Sequence, residues 1–139
     1  MIGLDTPVLL GILRGDPAAK ALIRKLENEE VCTTAQNLFE LETLARLDPS
    51  VGREQRLATL DRLRRKLTIL PIDDRGAIVA AGYASKDAVR VVPAASWMIL
   101  GALEANGCSE WYTVANSQFP KASKVIRVTI LGHSLSRKR

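Results

Sequence analysis

Aromatic residues are scarce in this chain, with two Trp, two Tyr and two Phe among 139 residues. A core built mainly from aliphatic side chains is therefore expected, and Trp97 and Trp111 are the only indoles available to stack on a base. Histidine is rarer still. The single copy, His133, falls in a polar tail, which removes support for a His-based zinc site or a Ser-His-Asp triad. The two cysteines, Cys32 and Cys108, are distant in sequence and each lies among apolar or small residues. They read as reduced core cysteines rather than as a disulfide or a metal pair. No apolar run approaches the ~20 residues that a membrane span requires. The N-terminus lacks a basic segment leading into a longer apolar stretch, so a secretory signal is not expected. Together these absences predict a cytoplasmic protein with no membrane association.

What is present is a chain with 47% apolar residues, enough for one globular domain with a substantial core. We place that domain at residues 1–131, followed by a basic tail over 132–139. Lys and Arg outnumber Asp and Glu by 20 to 15, a net charge of +5. That balance is compatible with nucleic-acid binding, because phosphate contacts supply most non-specific affinity, but charge alone names no partner.

Ile2 to Leu4 reads as a short buried strand. Thr6-Pro7 then reads as an N-cap followed by proline at the first helical position, and Asp16-Pro17 repeats the signal for a second helix. Val31 to Thr34 is a second strand, leading into a helix through Glu40 to about Arg46 that Asp48-Pro49-Ser50 ends. Leu57, Leu60, Leu63 and Leu67 are spaced for one face of a helix over residues 51–66. Thr68 to Leu70 is a third strand, and Pro71 to Asp74 opens a helix running to about Lys86. Val89 to Pro93 reads as a loop or extended piece. Ala95 to Asn106 is a helix closed by Gly107, and Trp111–Val114 and Val125–Ile130 are the last strands. Strands alternating with helices imply a parallel α/β sheet covered on both faces.

Several words in this order carry a family resemblance. They are Leu4-Asp5-Thr6 with Val8-Leu9-Leu10, Thr34 to Leu41 with its Phe-Glu-Leu, and Leu70-Pro71-Ile72-Asp73. Val92-Pro93 before a small-residue helix ending in Ala105-Asn106-Gly107 fits as well, as does a strand leading to Thr113 and then Phe119. Over nearly its whole length the chain resembles PIN-domain proteins of the VapC toxin type. The resemblance implies a three-layer sandwich with a central parallel sheet. It also implies three or four carboxylates at the C-terminal edge of the sheet, holding Mg²⁺ or Mn²⁺ for RNA cleavage. Magnesium takes hard oxygen ligands, and paired metals activate water and hold both oxygens of the phosphate being cut.

Asp5 matches the first of those acids and Glu40 the second. Where a third is expected, Pro93-Ala94-Ala95-Ser96 presents Ser96. Where the fourth belongs, in a motif shaped Thr-x-(Asn/Asp)-x-x-Asp-Phe, the chain offers Ala115 and Gln118. The arginine expected beside it is Val114, and Pro7 replaces a small hydroxyl or amide residue. Glu104 shares a helix with Ser96, but eight residues place it about 12 Å further along. Ser96, Asn116 and Gln118 carry neutral oxygens that offset little of a divalent charge. The expected cofactor is therefore none, or a weakly bound Mg²⁺ or Mn²⁺ at Asp5 and Glu40, with Ser96 and Asn116 as makeshift ligands. The bland alternatives are that Asp5 caps the helix after it, and that a nearby Arg or a backbone donor satisfies Glu40.

Arg53, Arg56, Arg62, Arg64, Arg65 and Lys66 cluster on one helix, with Glu54 and Asp61 as the acids beside them in sequence. Together with Arg137, Lys138 and Arg139 in the tail they are the candidate RNA-contacting residues. A solvated helix face with a few i,i+4 pairs is the alternative. Trp97-Met98-Ile99-Leu100 is a candidate dimer or antitoxin-binding surface. Three functions remain open at this stage. One is a non-catalytic module that binds RNA or a ribonucleoprotein. The others are an active Mg²⁺-dependent endoribonuclease of a toxin–antitoxin pair, and a protein-interaction or dimer module.

Overall fold

A computed structural model describes residues 1–49, 52–87 and 91–132. The tail from His133 onward, including Arg137, Lys138 and Arg139, lies outside the described residues, as do Ser50, Val51 and part of the Val89 to Pro93 stretch.

Among the described residues five strands form one sheet: β1 (Ile2–Leu4), β2 (Val31–Thr34), β3 (Thr68–Leu70), β4 (Glu110–Thr113) and β5 (Arg127–Ile130), in the order β3-β2-β1-β4-β5. Every pairing is parallel. The helices are α1 (Thr6–Leu13), α2 (Pro17–Lys25), α3 (Ala35–Leu47), α4 (Arg53–Lys66), α5 (Asp74–Ala84) and α6 (Ala94–Ala105). Strands of three or four residues suffice because the central ones, β1, β2 and β4, are covered on both faces and need only to cross the core.

Alternation along the strands divides the core in two. Leu4, Val31 and Tyr112 face one side, where Val8, Leu9, Leu22, Leu41, Leu60 and Leu63 of the first four helices cover them. Cys32 and Trp111 face the other, beneath Ala80 of α5 and Trp97, Ile99, Leu100 and Leu103 of α6. This is the three-layer sandwich anticipated from the alternation of strands and helices.

Most of the Trp97-to-Leu100 stretch is thus buried in the second core rather than displayed for a partner. Burial of Trp111 depends on Gly3 in the adjacent strand, because a Cβ there would collide with the indole ring. Phe119 completes the cluster, its ring centroid 5.3 Å from that of Trp111. Trp111 is therefore unavailable for stacking on a base.

Cys32 and Cys108 are free and buried, as expected of reduced core cysteines. The fold also brings them together, with Sγ atoms 3.9 Å apart. The contact with Cys108 and the surrounding burial push the Cys32 thiol up, which holds it protonated.

Helix starts follow local chemistry with one change. Asp5, not Thr6, is the N-cap of α1: its backbone is extended and its carboxylate accepts from Thr6 N–H at 2.8 Å, leaving Pro7 inside the first turn. Asp16 and Asp73 cap α2 and α5 through the amides of Ala19 and Gly76. Gly107, at φ 80°, ends the α6 segment as anticipated.

Candidate functional site

The chain runs outward from β1 to β2 and β3, then returns to the other side of β1 for β4. The crevice between β1 and β4 at their C-terminal ends is the topological switch point, where open α/β sheets bind ligands. Asp5 follows β1 directly, and its amide donates to Tyr112 C=O at 2.9 Å, so the β1–β4 ladder holds it at this crevice.

Asp5 is almost completely enclosed by donors. Oδ1 accepts from Thr6 N–H at 2.8 Å and from Asn37 Nδ2 at 3.1 Å. Oδ2 accepts from the hydroxyls of Thr113 at 2.6 Å and Ser117 at 3.3 Å. Thr113 ends β4, and Asn37 lies in the first turn of α3, so β1, α3, β4 and the loop after β4 all converge on one carboxylate. Burial raises the Asp5 carboxyl above its ordinary value. Hydrogen bonds from Thr113, Thr6 and Ser117 offset only part of that, and Glu40 adds to the rise.

Glu40 reaches the same site from α3. Its partners are neither an arginine nor the backbone: Oε1 accepts from the Thr6 hydroxyl at 2.7 Å, and Oε2 from Gln36 Nε2 at 3.3 Å. The Thr6 hydroxyl in turn accepts from Asn37 Nδ2 at 3.0 Å, which links the two acids through one threonine. Asn37 is itself held by the Thr34 hydroxyl, which donates to its Oδ1 at 2.6 Å. Thr6, Asn37, Thr113 and Ser117 are thus the polar residues of the site that sequence reasoning missed. Their placement at two helix starts, one strand end and the loop just after it was the available signal.

Asp5, Thr6, Glu40 and Ser117 form the floor of a cavity of about 550 Å³. Its walls come from Pro7 and Leu10 of α1, Phe39, Thr43 and Leu44 of α3, Ala95 and Ile99 of α6, and Phe119. Ser96 lines the cavity beside them, whereas Asn116 is exposed and does not; its neighbour Ser117 turns inward instead. Glu104, the other acid weighed from sequence, does not reach this floor, and neither does Glu110. Glu104 accepts from the Tyr83 and Ser123 hydroxyls, and Glu110 pairs with Arg127 at 3.0 Å from the opposite end of β4.

Among the described residues no three His, Cys, Asp or Glu side chains gather as a metal cluster. Two carboxylates, one with every strong acceptor site already taken by a protein hydrogen, do not fit a two-metal centre, which needs anionic oxygens free to point at the ions.

The basic helix α4 looks different in three dimensions. Arg64 pairs with Glu42 of α3 and with Asp61, Arg65 pairs with Asp61, and Arg56 Nε lies 3.5 Å from Asp48. Glu42 and Asp48 are acids that a count along the helix omits, because they arrive from α3 and its C-cap. Arg53, Arg62 and Lys66 are exposed. Arg56, with its side chain only 13% exposed, is a packed residue rather than an open phosphate contact.

Comparison with known proteins agrees with this architecture. None of the curated protein sequences matches the chain. Among solved structures, VapBC2 of Rickettsia felis, bound to a DNA fragment from its promoter, aligns with a TM-score of 0.74 at 15% identity, covering 94% of this chain and 98% of the other. DNA-bound VapBC of Salmonella typhimurium aligns at 0.71 with 21% identity, covering 93% and 96%. VapBC-5 of Mycobacterium tuberculosis, a member of the VapBC family of toxin–antitoxin systems, aligns at 0.67 with 24% identity, covering 92% and 96%. At these identities the likeness establishes the fold. The sequence model of the PIN domain matches residues 2–107, from β1 to the glycine that ends α6, and so spans both Asp5 and Glu40. The chain belongs to the PIN domain family.

Proposed function

We propose that this chain is a PIN-domain protein that acts as a non-catalytic RNA- or ribonucleoprotein-binding module. The observation that carries this reading is the state of the carboxylate floor. Asp5 spends both oxygens on Thr6, Asn37, Thr113 and Ser117, and only Glu40 accompanies it. Such a floor braces the crevice between β1 and β4 better than it supports paired metal ions. The net charge of +5 supports an anionic partner, because it favours phosphate contacts and speeds encounter.

The test is a panel of structured RNAs incubated with Mn²⁺, with Asp5→Asn and chelator controls, followed by gel-shift assays at rising salt. Intact RNA is expected, together with a shift that weakens as salt rises and survives Asp5→Asn. Cleavage that disappears both in Asp5→Asn and with chelator would establish the active endoribonuclease instead.

A second reading is favoured by one specific observation. Phe39 is 65% exposed at the edge of a largely apolar cavity with two acids at its base. That combination suits a peptide with apolar side chains flanking a cation, as an antitoxin-like partner would supply, and VapBC-5 belongs to a family of toxin–antitoxin systems. Phe39→Ala is expected to weaken such a partner at least tenfold while leaving RNA binding unchanged.

A further inference from the structure

We propose that a second cavity, of about 480 Å³, is a nucleotide subsite for single-stranded RNA in which Lys86, Lys121 and Lys124 hold the phosphates. The inference rests on the RNA-binding reading above and specifies where the RNA backbone goes.

The carboxylate cleft poses a problem for any RNA ligand. Among the described residues it is lined by Asp5 and Glu40 and by no lysine or arginine. A phosphodiester resting on that floor meets like charge in a partly desolvated crevice, where repulsion is stronger than in water. The backbone must therefore be held elsewhere.

The second cavity has the opposite character. Lys86 and Asp87 contribute from the chain after α5, Val92 from the approach to α6, Trp97 from α6 itself, and Lys121 and Lys124 from the segment joining β4 to β5. Among the described lining residues three lysines accompany one carboxylate, beside a wall of Tyr83, Val92 and Pro120, with Trp97 almost wholly buried behind it. A cationic rim with an apolar and aromatic wall is the arrangement that takes one nucleotide, phosphate to the ammonium groups and base to the wall. The volume lies within the range of small-ligand pockets.

The two cavities also share a partition. Ser96 faces the cleft and Trp97 the lysine pocket; Phe119 lines the cleft and Pro120 the pocket. Successive residues are about 3.8 Å apart along the chain, so a short single strand crosses from one cavity to the other over this partition. A rigid duplex does not enter a concave pocket of this size. The lysines are thus the counterpart of the missing floor charge. They let a domain with an acidic crevice hold an anionic chain without a metal ion between them.

The experiment is fluorescence anisotropy with a labelled oligouridylate and the full chain, at several salt concentrations, with unlabelled duplex RNA as competitor. Three proteins are compared: the native chain, Lys121→Gln/Lys124→Gln, and Lys20→Gln/Lys25→Gln on α2. All four substituted side chains are exposed, so each variant retains the fold, as thermal melts will verify. The Lys121/Lys124 variant is expected to bind at least tenfold more weakly. Its slope of log affinity against log salt should fall by about 1.4, the value for two lost single-strand phosphate contacts. The α2 variant should match the native chain, and duplex should compete poorly. Native binding with an unchanged slope in the Lys121/Lys124 variant would overturn the subsite and leave the RNA-binding reading standing. Absence of oligouridylate and structured-RNA binding by the native chain would overturn both.

Discussion

Gly101→Ala is expected to destabilise the domain by about 3 kcal/mol, lowering Tm by about 10 °C, because α6 crosses α5 with backbone against backbone. A Cβ at Gly101 would overlap the carbonyl of Gly76 and sit 3.0 Å from the Cβ of Ala80. No flexible side chain is available to swing away, so relief requires the two helices to separate and opens the core around Leu100 and Leu103. Gly82, also within α5, has nothing within 4 Å of its would-be Cβ and keeps ordinary helical backbone. Gly82→Ala should therefore stabilise by about 0.5–1 kcal/mol through helix propensity alone. Thermal melts of the two variants separate a glycine demanded by packing from one that is merely tolerated. Equal effects would refute the close approach of α5 and α6.

The second large effect is expected at Asp5, where the replacement decides the sign. Asp5→Ala leaves the Thr6 amide, the Asn37 side chain and the Thr113 hydroxyl facing an empty acceptor position. Burial without partners is the expensive outcome, about 2–3 kcal/mol or some 8 °C in Tm. Asp5→Asn should be tolerated or mildly stabilising at neutral pH. Its oxygen keeps the Thr6 and Asn37 donors, and its amide faces Thr113 and Ser117, whose hydroxyls can rotate to accept.

The pH dependence follows from the raised carboxyl of Asp5, whose chief cause is burial. A folded value above the ordinary 3.8 means that the native state binds the proton more tightly than the unfolded chain. The contribution is fully present below that value and is lost as pH rises through the folded one. The stability of Asp5→Asn relative to the native chain should therefore improve between about pH 4 and pH 7. Denaturant titrations at both pH values would check it, and an advantage that shrinks with rising pH would reverse the assignment.

Much of the fold is legible in residue order because its signals are local. Gly107 after Asn106 stops α6 where a left-handed residue is required, and Asp16-Pro17 starts α2 wherever it occurs. The leucines of α4 mark its buried face, and apolar triplets between helices leave little choice but buried strands. Asp5 and Glu40 could be singled out for the same reason, since each sits at a recognisable junction. The cap of α1 went to Asp5 rather than Thr6 because both residues have capping side chains, and only the extended backbone imposed by the β1–β4 ladder decides between them.

Charge and site completeness were not legible in this way. The acids that engage Arg56 and Arg64 come from α3 and its C-cap, so a tally along α4 overstates its free positive charge. The donors around Asp5 are drawn from positions 6, 37, 113 and 117, and the lysine pocket joins positions 86, 121 and 124. By itself the sequence determined the layer architecture, the element boundaries to within a few residues, and which two carboxylates reach the crevice. Tertiary structure alone decided what surrounds those carboxylates, which cations stay exposed, and that the two cysteines touch. The reason is range. Propensity and periodicity act over one or two turns, whereas hydrogen bonds and ion pairs depend on which distant segments the sheet order brings side by side.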